Sequence, residues 1–524
     1  KVTMKKTMKQ HSFASRLKSL ALVFGIALAF ASCANEDIAQ NPNGTDNNKN
    51  FTIFSTGDPA TRTSMESNGA FYWEAGDKIW VKDDNGTWQQ SRNAPTEKTA
   101  SFKFEVPGSF TKTSTYKVYY PGKNGNLNLV TIAANQSQAE PNTTAHFGAS
   151  GDCGMADAAW SNAKNGFAFT LDHKAAYLLF LPRTSNTILH NCYLIMVEVN
   201  SDNDITSTYT LDPTTGKLTG TGTGKQIIVS TGGSGTYANG FPLTNNATSA
   251  ATNGAYVVIK PGTHTLKVRY WVKDIVTNVV GTITKTLSST NYDQNKYYNI
   301  TANLDVKNYD GDHYYMWDAQ KQYWYGYEWT KNLPGNTGQP TLNGNSSSNY
   351  AHNNSDVSRW FHESSGSGRF DATRSSFNNV PNVNEMTWYA GKGDPRWDDW
   401  ELWTTMGHLY RGGVWFKKKA YISGYNPNTA VDRTDWREND KGNGWSASRT
   451  LPSAADAGNY FFLPTLGYYT NGYMVAVGVH GYYWSSSANP RNSNFAYCLY
   501  FLGGNIYVDD EIRYSGYRAE ALFE

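Results

Sequence analysis

The chain has 524 residues and nearly balanced charge, with 46 Lys plus Arg against 44 Asp plus Glu. Its length excludes a single hydrophobic core and favours about three domains of ordinary size. The balanced charge excludes a strongly basic surface, so the composition indicates no nucleic acid partner. The 35 Tyr and 17 Trp are unusually many, and most of the Trp follow residue 306, which predicts a different kind of structure there.

The first 33 residues have the pattern of an export signal. A positively charged region between Lys5 and Lys18 precedes an apolar run over residues 20–32, which ends at Cys33. This run is too short to cross a bilayer as a helix, because that needs about 20 apolar residues. We therefore predict a signal peptide over residues 1–33.

The end of this signal resembles a bacterial lipobox, in which small residues precede a cysteine that receives a lipid. The tetrapeptide is Phe30-Ala31-Ser32-Cys33, with Phe30 where Leu is usual. The resemblance implies that Cys33 is acylated and that the protein is anchored as a lipoprotein in the outer membrane of a Gram-negative bacterium. Residues 34–50, rich in Asn and Asp, then form a flexible tether. The alternative is an ordinary signal peptide in which Cys33 is incidental.

Residues 51–306 consist of short runs with two-residue alternation, separated by clusters of Gly, Asn, Pro and Thr. This spacing predicts antiparallel β-sandwiches, and the length accommodates two of them, over residues 51–168 and 169–306. The strand candidates are Lys78–Lys82, Thr115–Tyr120, Gln226–Val229, Tyr256–Ile259 and Thr265–Val272.

Three motifs in this part occur in the order found in the fimbrillin family of surface lipoproteins. They are Ala60–Thr63 with Phe71–Ile79 near the start, Phe169–Ala176 in the middle and Lys296–Leu304 at the end. The resemblance covers residues 51–306 and implies a two-domain pilus subunit or pilus-associated lipoprotein. It also implies partners, namely other fimbrial subunits joined by strand exchange after proteolytic trimming. We nominate Arg62 for this maturation cleavage; the alternative is an exposed basic residue in a strand.

Residues 307–524 are rich in aromatic residues and turns, with candidate helices at Pro381–Tyr389 and Trp400–Met406. Several stretches resemble, in order, the closing half of C-type-lectin-like domains related to the formylglycine-generating-enzyme fold. They are Asn459–Tyr468, Gly481–Ser487, Ala496–Phe501 and Arg513–Arg518, with Gly412–Phe416 as an upstream framework element. The resemblance implies a ligand-binding domain of a group that includes proteins diversified by retroelements. The chain is thus predicted to be multidomain, with two antiparallel β-sandwich domains followed by an α+β C-type-lectin-like domain.

The last part of the chain holds our candidate ligand-binding positions. Their residue types can all be reached from an AAC codon by changing only its adenines, as adenine-directed mutagenesis would give, whereas Glu511 cannot. Tyr and Trp provide large contact area at little cost in rotamer entropy, so binding is the predicted role of the set. The first candidates for ligand contact are Tyr482, Tyr497 and Tyr500, and the next are Tyr507 and Tyr514. The alternative is that many of these aromatics are core and strand residues. The framework-like residues between them are Trp484, Ser485, Ser486, Gly504 and Gly516. The full predicted set is Val479, His480, Tyr482, Arg491, Asn494, Phe495, Tyr497, Tyr500, Leu502, Tyr507, Asp509, Asp510, Arg513, Tyr514 and Tyr517.

Catalytic motifs are absent from the sequence, which contains no HExxH, GxSxG, P-loop or paired CxxC. Cys498 is the only cysteine after residue 306, which counts against the copper-dependent chemistry of enzymatic relatives. Four acids lie close together in sequence: Asp394, Asp398, Asp399 and Glu401. They could form a calcium site, but we favour the interpretation that they are acids at the N-terminus of a helix. A Cys153–Cys192 disulfide is permitted but not required. We predict no catalysis, no cofactor and no metal site.

Together these patterns predict a cell-surface adhesin at the tip of a fimbria or associated with pili. Its aromatic-rich C-terminal face would bind a host, bacterial or phage-related ligand, either a surface protein or a glycan. The alternative is a stand-alone glycan-binding lipoprotein of the outer membrane, in which Trp397, Trp400 and Trp403 stack on sugar rings. A second alternative, an enzyme related to the sulfatase-modifying fold, is disfavoured by the lack of a cysteine pair.

Overall fold

The computed structural model describes residues 50–56, 64–65, 71–328, 349–364 and 367–524. Cys33, almost all of the tether, and Arg62 lie outside these residues, so their predicted roles stay predictions. Phe51–Glu524 form one compact unit. None of the helices in the described part is long and apolar enough to traverse a lipid bilayer.

The N-terminal segment is built from short strands and a one-turn helix. The strands are β1 (Thr52–Thr56), β2 (Ser64–Met65), β3 (Phe71–Tyr72), β4 (Trp80–Lys82), β5 (Trp88–Gln90), β6 (Lys103–Val106), β7 (Tyr116–Tyr120), β8 (Leu129–Thr131), β9 (Asn135–Gln138), β10 (Gly154–Ser161), β11 (Gly166–Phe169) and β12 (Asp172–His173), and the helix is α1 (Phe147–Ser150). Side chains alternate as expected of half-buried strands, for example in β6, where Phe104 and Val106 are buried and Lys103 is exposed.

β1 lies inside the N-terminal sheet, whose strand order is β5-β4-β7-β10-β11-β1-β6, with β12 also paired to β10. It pairs parallel with β11 and antiparallel with β6. Phe54 of β1 is fully buried and contacts the rings of Phe110, Tyr116 and Phe167. β1 is therefore part of the core of this sheet.

The second segment contains longer strands. They are β13 (Ala176–Arg183), β14 (Cys192–Ser201), β15 (Thr208–Leu211), β16 (Leu218–Thr219), β17 (Gln226–Thr231), β18 (Phe241–Pro242), β19 (Ala255–Ile259), β20 (Gly262–Asp274), β21 (Val280–Tyr292) and β22 (Tyr297–Asn303), with the one-turn helix α2 (Ala250–Asn253). β19, β13 and β22 form one sheet, while β21, β20, β14 and β17 are neighbours in another. Phe180 of β13 shares a core with Val197 of β14 and Val268 of β20, as in a β-sandwich.

Strands on both sides of the predicted boundary at residues 168 and 169 share sheets. β8 pairs with β15, and β9 pairs parallel with β17. Val130 of β8 and the following Ile132 belong to the core of the second segment. The boundary itself stays a prediction, but the N-terminal segment contributes strands to the sandwich that follows it.

The C-terminal segment has two groups of strands around one long helix. The strands are β23 (Asn308–Tyr309), β24 (Tyr314–Tyr315), β25 (Arg396–Thr405), β26 (His408–Lys417), β27 (Asn443–Ser446), β28 (Tyr460–Pro464), β29 (Leu466–Thr470), β30 (Tyr473–Val477), β31 (Gly481–Ala488), β32 (Phe495–Leu502), β33 (Asn505–Ile512) and β34 (Tyr517–Arg518), and the helix is α3 (Val383–Lys392). One sheet has the order β24-β34-β31-β32-β33-β27, with β29 paired to β30 and β31.

The two helix predictions for this segment have different outcomes. Pro381–Tyr389 is confirmed by α3, which begins with a capping box between Asn382 and Glu385. Trp400–Met406 is wrong, because Trp400–Thr405 lies in β25, which pairs antiparallel with β26, and Met406 lies in the turn between these two strands. Leu402 and Trp403 are adjacent and both buried, so the strand is covered on both sides there and lacks the alternation that identifies a half-exposed strand.

β25 also connects the C-terminal segment to the second sandwich. It lies beside β21 through a parallel bridge between Thr282 and Glu401, so the order β28-β26-β25-β21-β20-β14-β17-β9 is continuous. A Cβ atom on Gly281 would lie 2.4 Å from the carbonyl oxygen of Trp400. The absence of a side chain at this position is what lets the two strands approach.

The cysteines Cys153, Cys192 and Cys498 are free and buried. The Cys153–Cys192 disulfide that the sequence permits is therefore not formed in this structure. Burial raises the pKa of the Cys192 thiol to about 12, which keeps it in the unreactive thiol form.

Candidate ligand-binding face

Three tyrosines stack across neighbouring strands of the C-terminal sheet. Tyr482 of β31 lies opposite Tyr500 of β32, which lies opposite Tyr507 of β33. The ring centroids of Tyr482 and Tyr500 are 5.1 Å apart with planes 7° apart, and those of Tyr500 and Tyr507 are 4.9 Å apart at 16°. We call Tyr482, Tyr500 and Tyr507 the tyrosine ladder.

The ladder is buried at one end and open at the other. Tyr482 is 9% exposed and packs on Tyr468 and Tyr517, with ring centroids 4.5 and 4.7 Å away. Tyr500 and Tyr507 are half-buried. The side available to a partner is therefore that of Tyr500 and Tyr507, while Tyr482 supports it from within the core.

Acidic residues continue the same face of β33. Because side chains alternate along a strand, Asp509 and Glu511 point to the side of Tyr507, opposite Cys498 and Ala496 of β32. Burial, reinforced by the charges of Asp509 and Asp510, raises the pKa of the Glu511 carboxyl. The face therefore combines aromatic rings with closely spaced carboxylates.

Asp510 points to the other side of the sheet, opposite Tyr497. Burial, followed by the charges of Asp509 and Asp440, raises the pKa of its carboxyl. It is therefore separated from the ladder although it adjoins Asp509 in sequence.

Tyr497 is fully buried under the sheet and does not lie on the predicted surface. Its hydroxyl accepts a hydrogen bond from the backbone N–H of Lys441 at 3.2 Å, and its ring lies 6.4 Å from that of Trp436. The role of ligand contact predicted for Tyr497 is incompatible with this burial. Tyr497 lies three residues before Tyr500 along β32, and this odd offset turns its side chain to the opposite, buried face of the sheet.

Arg513 and Tyr517 are also core residues. Arg513 is fully buried, where its Nε donates to the carbonyl of Phe495 at 2.9 Å and its guanidinium lies over the ring of Trp317. Burial lowers the pKa of Arg513 to about 10. Tyr517 is 3% exposed and stacks on Trp484 with a centroid distance of 4.4 Å. The structure thus assigns both to support of the face and not to its surface.

The remaining predicted positions divide between the two ends of the β31–β33 sheet. Val479 and His480 directly precede β31 and lie at the end where Leu502 closes β32, and Val479 is 56% exposed. Arg491, Asn494, Phe495 and Tyr514 lie at the opposite end. The structure therefore brings Val479, His480, Tyr482, Tyr500, Leu502 and Tyr507 to one end of the sheet.

The carboxylates considered as a calcium site are each bound by groups of the protein. Asp394 pairs with Arg396, Asp398 with Arg269, and Asp399 with Arg449. Glu401 accepts from the backbone N–H of Thr284 at 2.9 Å. Among the residues that the structure describes, no group of three or more His, Cys, Asp or Glu is arranged to hold a metal ion.

The chain has structural neighbours among surface proteins. A fimbrial protein of Bacteroides ovatus matches 90% of this chain and 98% of its own, at 11% identity and a TM-score of 0.24. A protein of the same species named for cell adhesion matches 48% of this chain and 92% of its own, at 15% identity and a TM-score of 0.29. The fimbrial anchor protein Mfa2 from Porphyromonas gingivalis matches 46% of this chain and 82% of its own, at 10% identity and a TM-score of 0.22. No family model and no curated protein matches the chain.

Two residues of the face were missed by the sequence analysis. Tyr468 packs on the ladder from β29, but its stretch was interpreted as framework. Glu511 was set aside because its codon cannot arise from AAC by changes at adenine. The two-residue spacing of Tyr507, Asp509 and Glu511 was the available signal, since it places all three on one face of a strand.

Proposed function

We propose that the protein is a cell-surface adhesin whose tyrosine ladder and adjoining carboxylates bind a ligand on another surface, without catalysis. The observation that carries this proposal is the half-buried stack of Tyr500 and Tyr507 beside Asp509. Tyrosines held by neighbouring rings lose little rotamer entropy on binding, so they are suited to recognition. The rigid β31–β33 sheet supplies the support that such a surface needs.

We further propose that the N-terminal half attaches this face to a fimbria. Cleavage after Arg62 would detach everything before it, including β1, from the rest of the chain. β6 and β11 would then lose the neighbour that they share, and the site of Phe54 would be emptied. Unpaired backbone groups on two strand edges are a template for a strand from another subunit, which fits the resemblance to fimbrillins.

The order of the segments favours a place at the tip. A subunit that extends a fibre donates a strand that its own sheets do not use, whereas the strands β31–β34 that follow the two sandwiches here are folded into the sheet of the candidate face. Such a subunit could accept a neighbour without offering a strand to the next one. Acylation at Cys33 would hold the protein at the outer membrane before assembly. Immunogold labelling along the shafts of fimbriae, instead of at their tips, would contradict this part of the proposal.

The rival role as a glycan-binding lipoprotein relied on three tryptophans. Trp397 is 7% and Trp403 is 1% exposed, so neither offers a ring face to a sugar. Trp400 is 38% exposed, with the guanidinium of Arg411 stacked 4.3 Å from its ring. A flat aromatic platform is therefore not formed by this group, and the tyrosine ladder is the better candidate for ligand contact.

The experiment that tests the binding face is sequencing of the gene's 3′ end and its neighbourhood across many isolates. If the face is a diversified receptor, substitutions concentrate at the exposed Val479 and the half-buried Tyr500, Leu502, Tyr507 and Asp509, beside an adenine-rich repeat and a reverse transcriptase gene. Buried Tyr497 and Arg513 serve as internal controls and should vary less. An invariant 3′ end would contradict diversification and leave a single fixed ligand.

A further inference from the structure

A cavity of about 330 Å³ lies between the second sandwich and the C-terminal segment. β20 and β21 form one wall, and β26 with residues 451–460 forms another. Its volume falls in the range of about 300–1,000 Å³ that is usual for small-molecule sites. The charged groups and aromatic rings in its lining are Lys267, Arg269, Lys285, Lys418, Asp398, Trp415 and Tyr460.

The cations of this cavity outnumber the carboxylates that neutralise them. Arg269 is paired with Asp398, whose two carboxylate oxygens each lie 2.9 Å from one guanidinium nitrogen. Lys418 is paired with Glu524 at 2.8 Å. Lys267 donates to the carbonyl of Pro452 and to no carboxylate.

The ammonium group of Lys285 has no hydrogen bond or ion pair among the described residues, although the charges of Glu401 and Asp305 act on it from a distance. Burial lowers the pKa of both Lys267 and Lys285, because it removes water from their ammonium groups. Glu401 lies 3.9 Å from Arg269 but is itself held by Thr282 and Thr284. The ammonium groups of Lys267 and Lys285 therefore lack a directly paired carboxylate in the cavity.

A buried donor in the same place has no acceptor. Arg269 is 4% exposed, and its Nε atom has no hydrogen-bond partner in the structure. Buried N–H groups of arginine are normally paired, and the fork of a guanidinium matches the geometry of a carboxylate or sulfate. An anion in the cavity would supply what Arg269 and the two lysines lack.

The aromatic rings in the lining indicate what kind of molecule carries the anionic group. The indole N–H of Trp415 donates to Asp398 at 3.0 Å, and the hydroxyl of Tyr460 donates to Asp394 at 2.6 Å. Because their N–H and O–H hydrogens are already donated, these side chains offer an anionic ligand ring surface and no further donor. Ring surface beside cations suits a small acidic sugar, whose ring packs on an aromatic and whose charge meets a cation.

We propose that this cavity is a second binding site, which takes one acidic monosaccharide unit through Lys267, Arg269 and Lys285. It is separate from the tyrosine ladder and does not depend on the function proposed for that face. Since it is lined by both the sandwich and the C-terminal segment, a bound sugar also holds these two parts together.

Isothermal titration calorimetry of the full chain with glucuronic acid, glucose and inorganic sulfate tests the proposal. We expect the wild type to bind glucuronic acid at least tenfold more tightly than sulfate, and not to bind glucose. Lys285→Gln removes a charge without breaking a side-chain hydrogen bond or ion pair of the described residues, and it should weaken glucuronic acid binding at least tenfold. Lys103→Gln, an exposed site on β6, is the matched control and should bind as the wild type does.

Several results would overturn the proposal. They are no binding of glucuronic acid by the wild type, equal binding by Lys285→Gln, or equal binding of glucose. Equal affinity for sulfate and glucuronic acid would overturn the sugar assignment, because the rings of Trp415 and Tyr460 would then add nothing. A double substitution of Tyr500 and Tyr507 by Ala should leave glucuronic acid binding unchanged, which separates this test from that of the adhesive face.

Discussion

Tyr497 and Tyr500 are close in sequence but lie on opposite faces of β32, and this difference determines their roles. Tyr500 lies on the ladder, half-buried between Tyr482 and Tyr507, whereas Tyr497 is enclosed beneath the sheet. The residue type alone does not distinguish them. The strand register does, because neighbouring side chains alternate between the two faces.

The double variant Tyr500→Ala, Tyr507→Ala should abolish adhesion with little effect on folding. Both rings are half-buried, so we expect a change of about 1 kcal/mol or less in unfolding free energy for each. Adherence of bacteria carrying the variant to epithelial cells and to neighbouring bacteria should fall at least tenfold. Tyr421→Ala, at a tyrosine 53% exposed elsewhere in the segment, is the control. Undiminished adherence would remove the ladder from consideration as the binding site.

Tyr497→Ala should act on stability instead. Removal of a fully buried aromatic side chain costs about 3–5 kcal/mol, since it leaves a cavity and the Lys441 N–H loses its acceptor. Urea denaturation measures this loss. A variant that keeps wild-type stability and yet fails to adhere would instead favour a direct ligand role for Tyr497.

Glu401 should make the protein less stable as the pH rises. Burial, followed by the charge of Asp398, raises the pKa of this carboxyl from 4.5 to about 7 in the folded state. The folded protein therefore retains a proton that the unfolded chain releases, so the contribution of this group is full below pH 4.5 and is lost as the pH approaches 7. The loss is on the order of 2–3 kcal/mol.

Urea denaturation at pH 4.5 and pH 7.5 measures this dependence. Glu401→Gln should flatten it, whereas Glu105→Gln on the N-terminal sheet should not. If the wild type and Glu401→Gln show the same pH dependence, Glu401 is not the group responsible.

At the scale of the element, α3 depends on Asn382, the residue that caps its N-terminus. Asn382 accepts from the backbone N–H of Glu385 at 3.0 Å, and the Glu385 carboxylate accepts from the backbone N–H of Asn382 at 2.9 Å. Asn382→Ala should lower the unfolding free energy by about 1 kcal/mol, because the backbone N–H of Glu385 loses its side-chain acceptor. Thermal denaturation measures this loss of stability. Asn246→Ala, at an exposed loop position, should have no effect, and an equal effect in both variants would argue against capping as the cause.

Strands with clear alternation were predictable from the sequence. Four predicted strands are confirmed, namely Thr115–Tyr120 by β7, Gln226–Val229 by β17, Tyr256–Ile259 by β19 and Thr265–Val272 by β20. A fifth, Lys78–Lys82, overlaps β4. α3 was predictable because its cap and turn residues are local signals. In each case the information needed lies within a few residues of the element.

Elements decided by distant contacts were not predictable. β25 was predicted as a helix because its buried residues lack alternation, a property that arises from the elements packed on both sides of it. The pairing of β9 with β17 joins residues far apart in the chain. At the candidate site, the residue types were found, but the division into ladder, core and exposed ends required the register of β31, β32 and β33.

At the scale of the whole molecule, the position of β1 makes assembly testable. An arginine-specific protease should cleave after Arg62 and release β1, and the product should form SDS-resistant oligomers with other fimbrial subunits. Release is favourable only if a replacement strand fills the gap between β6 and β11. Mass spectrometry and gel electrophoresis follow both steps. Arg62→Ala should block them, whereas Arg92→Ala should not; oligomers formed equally by Arg62→Ala would exclude this site.

The join between β21 and β25 has a mechanical consequence if the molecule is pulled. Along most of the large sheet, neighbouring strands share many backbone hydrogen bonds, but β21 and β25 share a single bridge at Thr282 and Glu401. Side-chain contacts reinforce this bridge, among them the bond from the Thr284 N–H to Glu401 and the ion pair between Arg269 of the neighbouring β20 and Asp398 of β25. A pull on the C-terminal face against an anchored N-terminal half therefore loads this join most heavily, and it should yield before either sheet unravels.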